Sequence, residues 1–261
     1  MSRRSIEGLG RRALAFVEEV GRIASAAVEL PLLLLRRPWR GRLLLEQLEA
    51  VGVGSLFIVT LTGFFVGAVL ALQGLRAFEL FNAQALVGAT VELSLARELA
   101  PVFAALMLTA RTGSAMATEL GTMRVTEQVD ALETMAVDAR QYLLAPRVVA
   151  GALMLPVLTL VFNATAMFGA WLVAVPGAGL SGAEFQGRIP LFTEVGDVLH
   201  GLVKAAVFGY VVCLIAVERG YRAEGGAAGV GTATTRAVVG GSISVLAIDY
   251  AMTALWQAVA G

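Results

Sequence analysis

Hydrophobic residues along this chain form two kinds of pattern, one periodic and one continuous. Leu9, Ala13, Phe16, Val20, Ile23, Ala27 and Leu30 recur at alternating steps of four and three, which lays one apolar stripe along a helix. Arg11, Arg12, Glu18, Glu19 and Arg22 fall off that stripe. A helix with so many charges cannot span a bilayer, but it can lie in the interface with its stripe toward the acyl chains. The pattern predicts an amphipathic interfacial helix over 9–35, followed by the basic juxtamembrane run Arg36-Arg-Pro-Trp-Arg-Gly-Arg42 with Trp39 as an aromatic anchor. Beyond residue 50 the pattern becomes continuous. Five apolar segments, at about 51–73, 93–117, 147–175, 199–217 and 238–259, each approach the ~20 residues that a bilayer requires. The third is the longest, which predicts tilt or extension past the bilayer. The expected fold is an all-α membrane protein: an interfacial helix, then a five-helix bundle over 51–259. No internal repeat or low-complexity linker divides it, so 1–261 reads as one membrane domain.

Composition strengthens this reading. Hydrophobic residues make up 57% of the chain and charged residues 15%, against roughly 25% charged in an average soluble domain. Net charge is zero, which removes the bulk-charge case for nucleic acid. One cysteine, Cys213, and one histidine, His200, cannot form a disulfide framework or an intrachain zinc cluster. Cys213 lies in an apolar run, where a buried, inert thiol is expected. His200 sits at a segment boundary and reads as an interfacial residue.

Arginine placement orients the bundle. With the N-terminus inside, the inner regions hold nine arginines before residue 50, then Arg124, Arg140 and Arg147, then Arg219, Arg222 and Arg236. The outer regions hold Arg76 and Arg188. The expectation is a cytoplasmic N-terminus and an extracytoplasmic C-terminus.

No P-loop, G-x-S-x-G or H-E-x-x-H motif occurs, so no catalytic or metal residues are assigned and ATP chemistry would have to come from another chain. The run Gly225-Gly-Ala-Ala-Gly-Val-Gly231 lacks the P-loop lysine and reads as a flexible inner loop. The inner connection over 118–146 is different. Glu127, Asp130 and Glu133 repeat at steps of three, with Ala131, Leu132 and Met135 able to pack on the other side. A short amphipathic helix beneath a membrane bundle suits docking into a groove on a soluble partner.

Charges also fall within or beside the apolar segments: Arg97, Glu98, Arg111, Lys204 and Asp249. At such depth a charge costs several kcal/mol unless paired or facing water, which makes each a functional candidate. Lys204 and Asp249 lie at compatible depth on consecutive antiparallel segments and are expected to pair. Arg97 and Glu98, adjacent on a helix, point about 100° apart. One or both face a cavity or a neighbouring subunit, or they snorkel to the interface. Gly63-Phe-Phe-Val-Gly67 is a G-x-x-x-G of the kind that brings membrane helices close.

The stretch Arg97-Glu-Leu-Ala-Pro-Val-Phe-Ala-Ala-Leu106 and the run from Ala110-Arg-Thr-Gly-Ser-Ala-Met-Ala-Thr-Glu119 to Leu132 resemble the signature of MlaE/YrbE permeases. Tyr142-Leu-Leu-Ala-Pro-Arg147, Lys204-Ala-Ala-Val-Phe-Gly209, Gly225–Thr235 and Asp249-Tyr250 extend the resemblance across roughly 45–258. Ala100 and Ala136 stand where that family often has glycine, and Ala139 where proline is common. The resemblance implies the membrane-spanning subunit of an ABC-type lipid transporter, with phospholipid as cargo. It implies a homodimer and a separate cytoplasmic P-loop ATPase that carries the ATP and magnesium. It also implies an extracytoplasmic MCE-domain partner and a lipid cavity lined by Leu70, Arg97 and Glu98. The helix that engages the ATPase maps onto 122–135, with Glu119, Arg124, Glu127, Asp130 and Glu133 as coupling residues. The competing readings are an ATP-independent secondary transporter or channel, for which inverted repeats would be the mark, and a lipid-modifying membrane enzyme.

Overall fold

The computed structural model describes residues 18, 21–33 and 41–260. Leu9, Ala13, Phe16 and Val20 of the predicted stripe, and residues 36–40 of the basic run, lie outside the described residues. Among the described residues no β-strand occurs. The helices are α1 (21–33), α2 (Gly41–Glu79), α3 (Gln84–Val125), α4 (Gln128–Thr134), α5 (Arg140–Gly177), α6 (Gly182–Gly187), α7 (Ile189–Phe192), α8 (Val195–Tyr221) and α9 (Gly226–Ala260). Five of them, α2, α3, α5, α8 and α9, are long and apolar enough to cross a membrane. All five expected segments are there. The bundle end carrying α4 also carries most of the described arginines and is called the basic end below.

The helices overrun the apolar segments, and α3 rather than α5 is the longest at 42 residues. Hydropathy marks the stretch that lies in lipid, whereas backbone hydrogen bonding carries the helix on through polar residues such as Thr118, Glu119 and Thr122. The glycine run at 225–231 is likewise not a loop. Only Gly225 and Gly226 adopt positive φ, +86° and +69°, to turn the chain, and α9 starts at Gly226.

Small residues set the packing, as expected where lipid removes the hydrophobic drive for helix association. α2 lies along α5 more extensively than any other pair of described helices. The G-x-x-x-G read in the sequence is that contact: a Cβ on Gly67 would stand 1.8 Å from the Ala166 carbonyl oxygen. α8 is the most buried span and packs on α5, α3 and α9, with Phe208, Val212 and Cys213 in the core. α9 is the most exposed span, presenting Ile243, Leu246 and Tyr250 outward.

α1 is held by protein as well as by its apolar character. Ala26, Leu30 and Leu33 are buried against the bundle. The Tyr210 hydroxyl donates to the Ala27 carbonyl, and Arg140 bonds Glu29. Val28 and Leu32, 67% and 54% exposed, face away, so the helix is apolar on two sides rather than along one stripe.

At the end opposite the basic end, α6 begins with a reciprocal cap. The Glu184 N–H donates to Ser181 Oγ at 3.1 Å, and the Ser181 N–H donates to Glu184 Oε2 at 2.9 Å. The Ser181 backbone N–H, and after it the Ser181 hydroxyl, hold the Glu184 carboxyl below its ordinary range.

A charged cluster between three helices as the candidate functional site

The Lys204 ammonium is fully buried in the middle of the bundle. Each of its three N–H groups has an acceptor: Glu98 Oε2 at 2.5 Å, Asp249 Oδ1 at 2.7 Å and Thr253 Oγ1 at 2.7 Å. The Thr253 hydroxyl also lies 3.1 Å from Glu98 Oε1, closing a ring across α3, α8 and α9. Two carboxylates thus serve one cation, and both keep an exposed side.

Local sequence explains how α3 delivers its part. Pro101 has no N–H and cannot bond the Arg97 carbonyl four residues back. The chain relaxes into a wider π-helical turn over Leu95–Leu99, closed by the Ala100 N–H bonding the Leu95 carbonyl. Such turns recur at functional sites. The same arrangement precedes Pro146, with a π-turn over Arg140–Leu144. Arg97 and Glu98 then both reach α8. Arg97 Nε lies 2.7 Å from Asp197 Oδ1, and Asp197 sits seven residues, or two turns, before Lys204 on the same face. Asp197 Oδ2 also accepts the Glu194 N–H at 2.9 Å, capping α8. His200 lies between these pairs, buried against the Trp256 ring at 4.3 Å between centroids.

Of the sequence-predicted residues, Glu98, Lys204 and Asp249 come together, and Arg97 stands beside them, paired and half-exposed. Leu70 is half-buried against the apolar core. Arg111 joins α3 to α2 instead, donating to Ser55 Oγ at 3.1 Å and to the Ala50 carbonyl at 3.2 Å. Asp197 and Thr253 escaped the sequence reading. Thr253 was legible as the residue four positions after Asp249, on the same helical face. Asp197 fell two residues before the apolar segment and looked like loop.

The basic end differs from expectation in detail. The region 122–135 is not one helix. α3 runs to Val125, the chain reverses at Glu127 with φ +61°, and α4 follows. Glu127 therefore does not share a helical face with Asp130 and Glu133. Asp130 bonds Arg124 at 2.5 Å, and Glu133 accepts the Tyr221 hydroxyl at 3.1 Å. α4 buries Val129 and half-buries Leu132, while Ala131 and Met135 point outward, because its packing face is set by the turn at Glu127 and not by a continuous helix. Glu119 bonds the buried Arg147 of α5 at 2.7 Å.

Comparison with known proteins identifies the family. The model of the family described as Permease MlaE matches residues 44–255. A Rickettsia bellii protein named "Probable ABC transporter permease protein" is 40% identical over 95% of this chain and 96% of its own length. The Haemophilus influenzae "Intermembrane phospholipid transport system permease protein MlaE" is 38% identical over 96% of each chain. The Arabidopsis thaliana chloroplast protein TRIGALACTOSYLDIACYLGLYCEROL 1 is 34% identical over 85% of this chain and 63% of its own length. With five apolar spans and a family match over most of its length, this chain is a multi-pass membrane protein that belongs to the MlaE permease family.

Proposed function

We propose that this chain is the permease subunit of an ABC-type transporter that moves phospholipid between the inner membrane and an extracytoplasmic MCE-domain partner. The observation that carries the reading is the cluster of Arg97, Glu98, Lys204 and Asp249, which joins three apolar helices and is polar and partly open. A two-faced site of that kind suits an amphipathic cargo: acyl chains find apolar helix surface such as that at Leu70, and a headgroup finds paired charges. The relative named for intermembrane phospholipid transport supports the choice of cargo.

In this reading the permease is a homodimer, assembled through outward apolar faces such as those of α2 and α9. The basic end is cytoplasmic, consistent with the arginine bias, and the C-terminus is extracytoplasmic. A separate P-loop ATPase docks at α4 and the turn before it, and ATP and magnesium reside on that ATPase. Glu119, Arg124, Glu127, Asp130 and Glu133 couple its movement to the spans, with the Glu119–Arg147 pair linking α3 to α5. The MCE partner sits at the opposite end, near α6 and α7. Purification in mild detergent followed by native mass spectrometry tests the reading. The expected particle holds two copies of this chain, two of a P-loop ATPase and bound phospholipid. A lone chain, under conditions that preserve other membrane complexes, would overturn it.

A further inference from the structure

A cavity of about 480 Å³ opens at the basic end, between α1, the end of α8 and the start of α9. It is separate from the cluster around Lys204. Four arginines line it, Arg22, Arg219, Arg222 and Arg236, against two glutamates, Glu218 and Glu224. Glu218 is buried and is held by Arg140 at 3.0 Å and by Arg222 at 3.1 Å, and Arg22 bonds Glu18 at 2.7 Å; four arginines against two glutamates still leave the lining with an excess of positive charge. The volume falls within the range of ordinary small-ligand sites. Ala223, Gly229 and Ala233 are the small residues of its lining, and at Gly229 the backbone packs closely on the Glu224 carbonyl.

One wall of the cavity is α1, whose far side carries the exposed apolar Val28 and Leu32. A polar, arginine-lined hole bordered by a helix with an exposed apolar side, at the edge of an apolar bundle, has the layout of a lipid headgroup site. The phosphate enters the basic cavity and the acyl chains run along apolar helix surface. We infer that this cavity holds the phosphate of an anionic phospholipid, a bound lipid distinct from transported cargo. The inference does not rest on the transport reading, because it concerns retention of a lipid at one end of the bundle and needs neither ATP nor movement.

The test uses the purified full-length chain with any subunits that copurify, reconstituted in nanodiscs of phosphatidylglycerol mixed with phosphatidylcholine. Lipids retained after detergent washing are read by native mass spectrometry. Arg22→Gln/Arg236→Gln removes two cationic walls that are not buried, so the fold is spared, and Arg188→Gln at the opposite end serves as control. The expected result is preferential retention of phosphatidylglycerol by the wild type. The double variant should lose that preference by about thirtyfold, from two arginines at roughly 1 kcal/mol each, and Arg22→Lys/Arg236→Lys should restore most of it. Equal retention of the two lipids by the wild type, or unchanged retention by the double variant, overturns the inference. Displacement of the lipid by excess inorganic phosphate would still place a phosphate group in the cavity. Binding of inorganic phosphate alone, with no lipid retained, would assign the site to a free anion and overturn the lipid. Loss of a copurifying ATPase with lipid retention unchanged would make the cavity a protein-docking site and likewise overturn it.

Discussion

Gly201 on α8 packs directly on the backbone of Ala96 on α3: a Cβ at Gly201 would stand 2.0 Å from the Ala96 carbonyl oxygen. This contact lies between the Arg97–Asp197 pair and the Glu98–Lys204 pair, so it sets the helix separation that both pairs require. Gly201→Ala has no flexible side chain to displace and must push α8 from α3. Overpacking of that kind costs about 1–3 kcal/mol. The expected outcome is a lower thermal midpoint in detergent together with loss of the proposed lipid transport in reconstituted vesicles. An unchanged midpoint would show that the helices separate freely at this level.

Lys204 has three acceptors, and removing it leaves two carboxylates facing each other without a cation. Lys204→Met is expected to destabilise the bundle by about 3–5 kcal/mol, the range for breaking a buried pair by deleting one partner. Adding Glu98→Gln and Asp249→Asn to Lys204→Met is expected to recover a large part of that loss, because the uncompensated charges go with the cation. Thermal or denaturant unfolding of the single and triple variants checks the sign. A triple variant less stable than Lys204→Met would mean that the contacts act by shape and not by charge.

Glu127→Lys/Asp130→Lys reverses two exposed charges beside the α3–α4 turn. The Arg124–Asp130 bond is exposed, and exposed pairs contribute about 0–1 kcal/mol, so the permease should stay folded and elute normally on gel filtration. Association with the proposed ATPase partner should be abolished in a pull-down. Retained association would remove α4 from the coupling assignment.

Ala136 occupies φ +57°, just after α4. For a residue with a Cβ the left-handed region costs roughly 1–2 kcal/mol. Ala136→Gly is expected to raise stability by about 1 kcal/mol or less, since glycine also gives the unfolded chain more freedom. The thermal midpoint of the purified protein checks it, and a decrease would mean that the Ala136 side chain makes a stabilising contact.

The lipid-facing pattern was legible without coordinates because a bilayer imposes a length and an apolar composition on each span. Charges inside apolar segments were legible for a related reason: they are too costly to stand alone, which singled out Lys204 and Asp249. The helix ends were not legible. Polar residues extend α3 to Val125, and a glycine run that looks like a loop starts α9, since hydrogen bonding within a helix does not report hydropathy. Nor was the face presented by α4. Glu127, Asp130 and Glu133 share a face only if the helix is continuous, and the reversal at Glu127 breaks it.

By itself, then, the sequence determined an all-α chain with five membrane spans, a basic end, and charges that had to find partners within the bundle. Those follow from the solvent: lipid sorts residues by transfer free energy, one position at a time. Only the tertiary structure decided which partners meet. Glu98 and Thr253 join Lys204 and Asp249 because a π-turn before Pro101 rotates α3 and because Gly201 lets α8 close on it. Such partnerships depend on the relative rotation and separation of three helices, and no single segment of the chain carries that information.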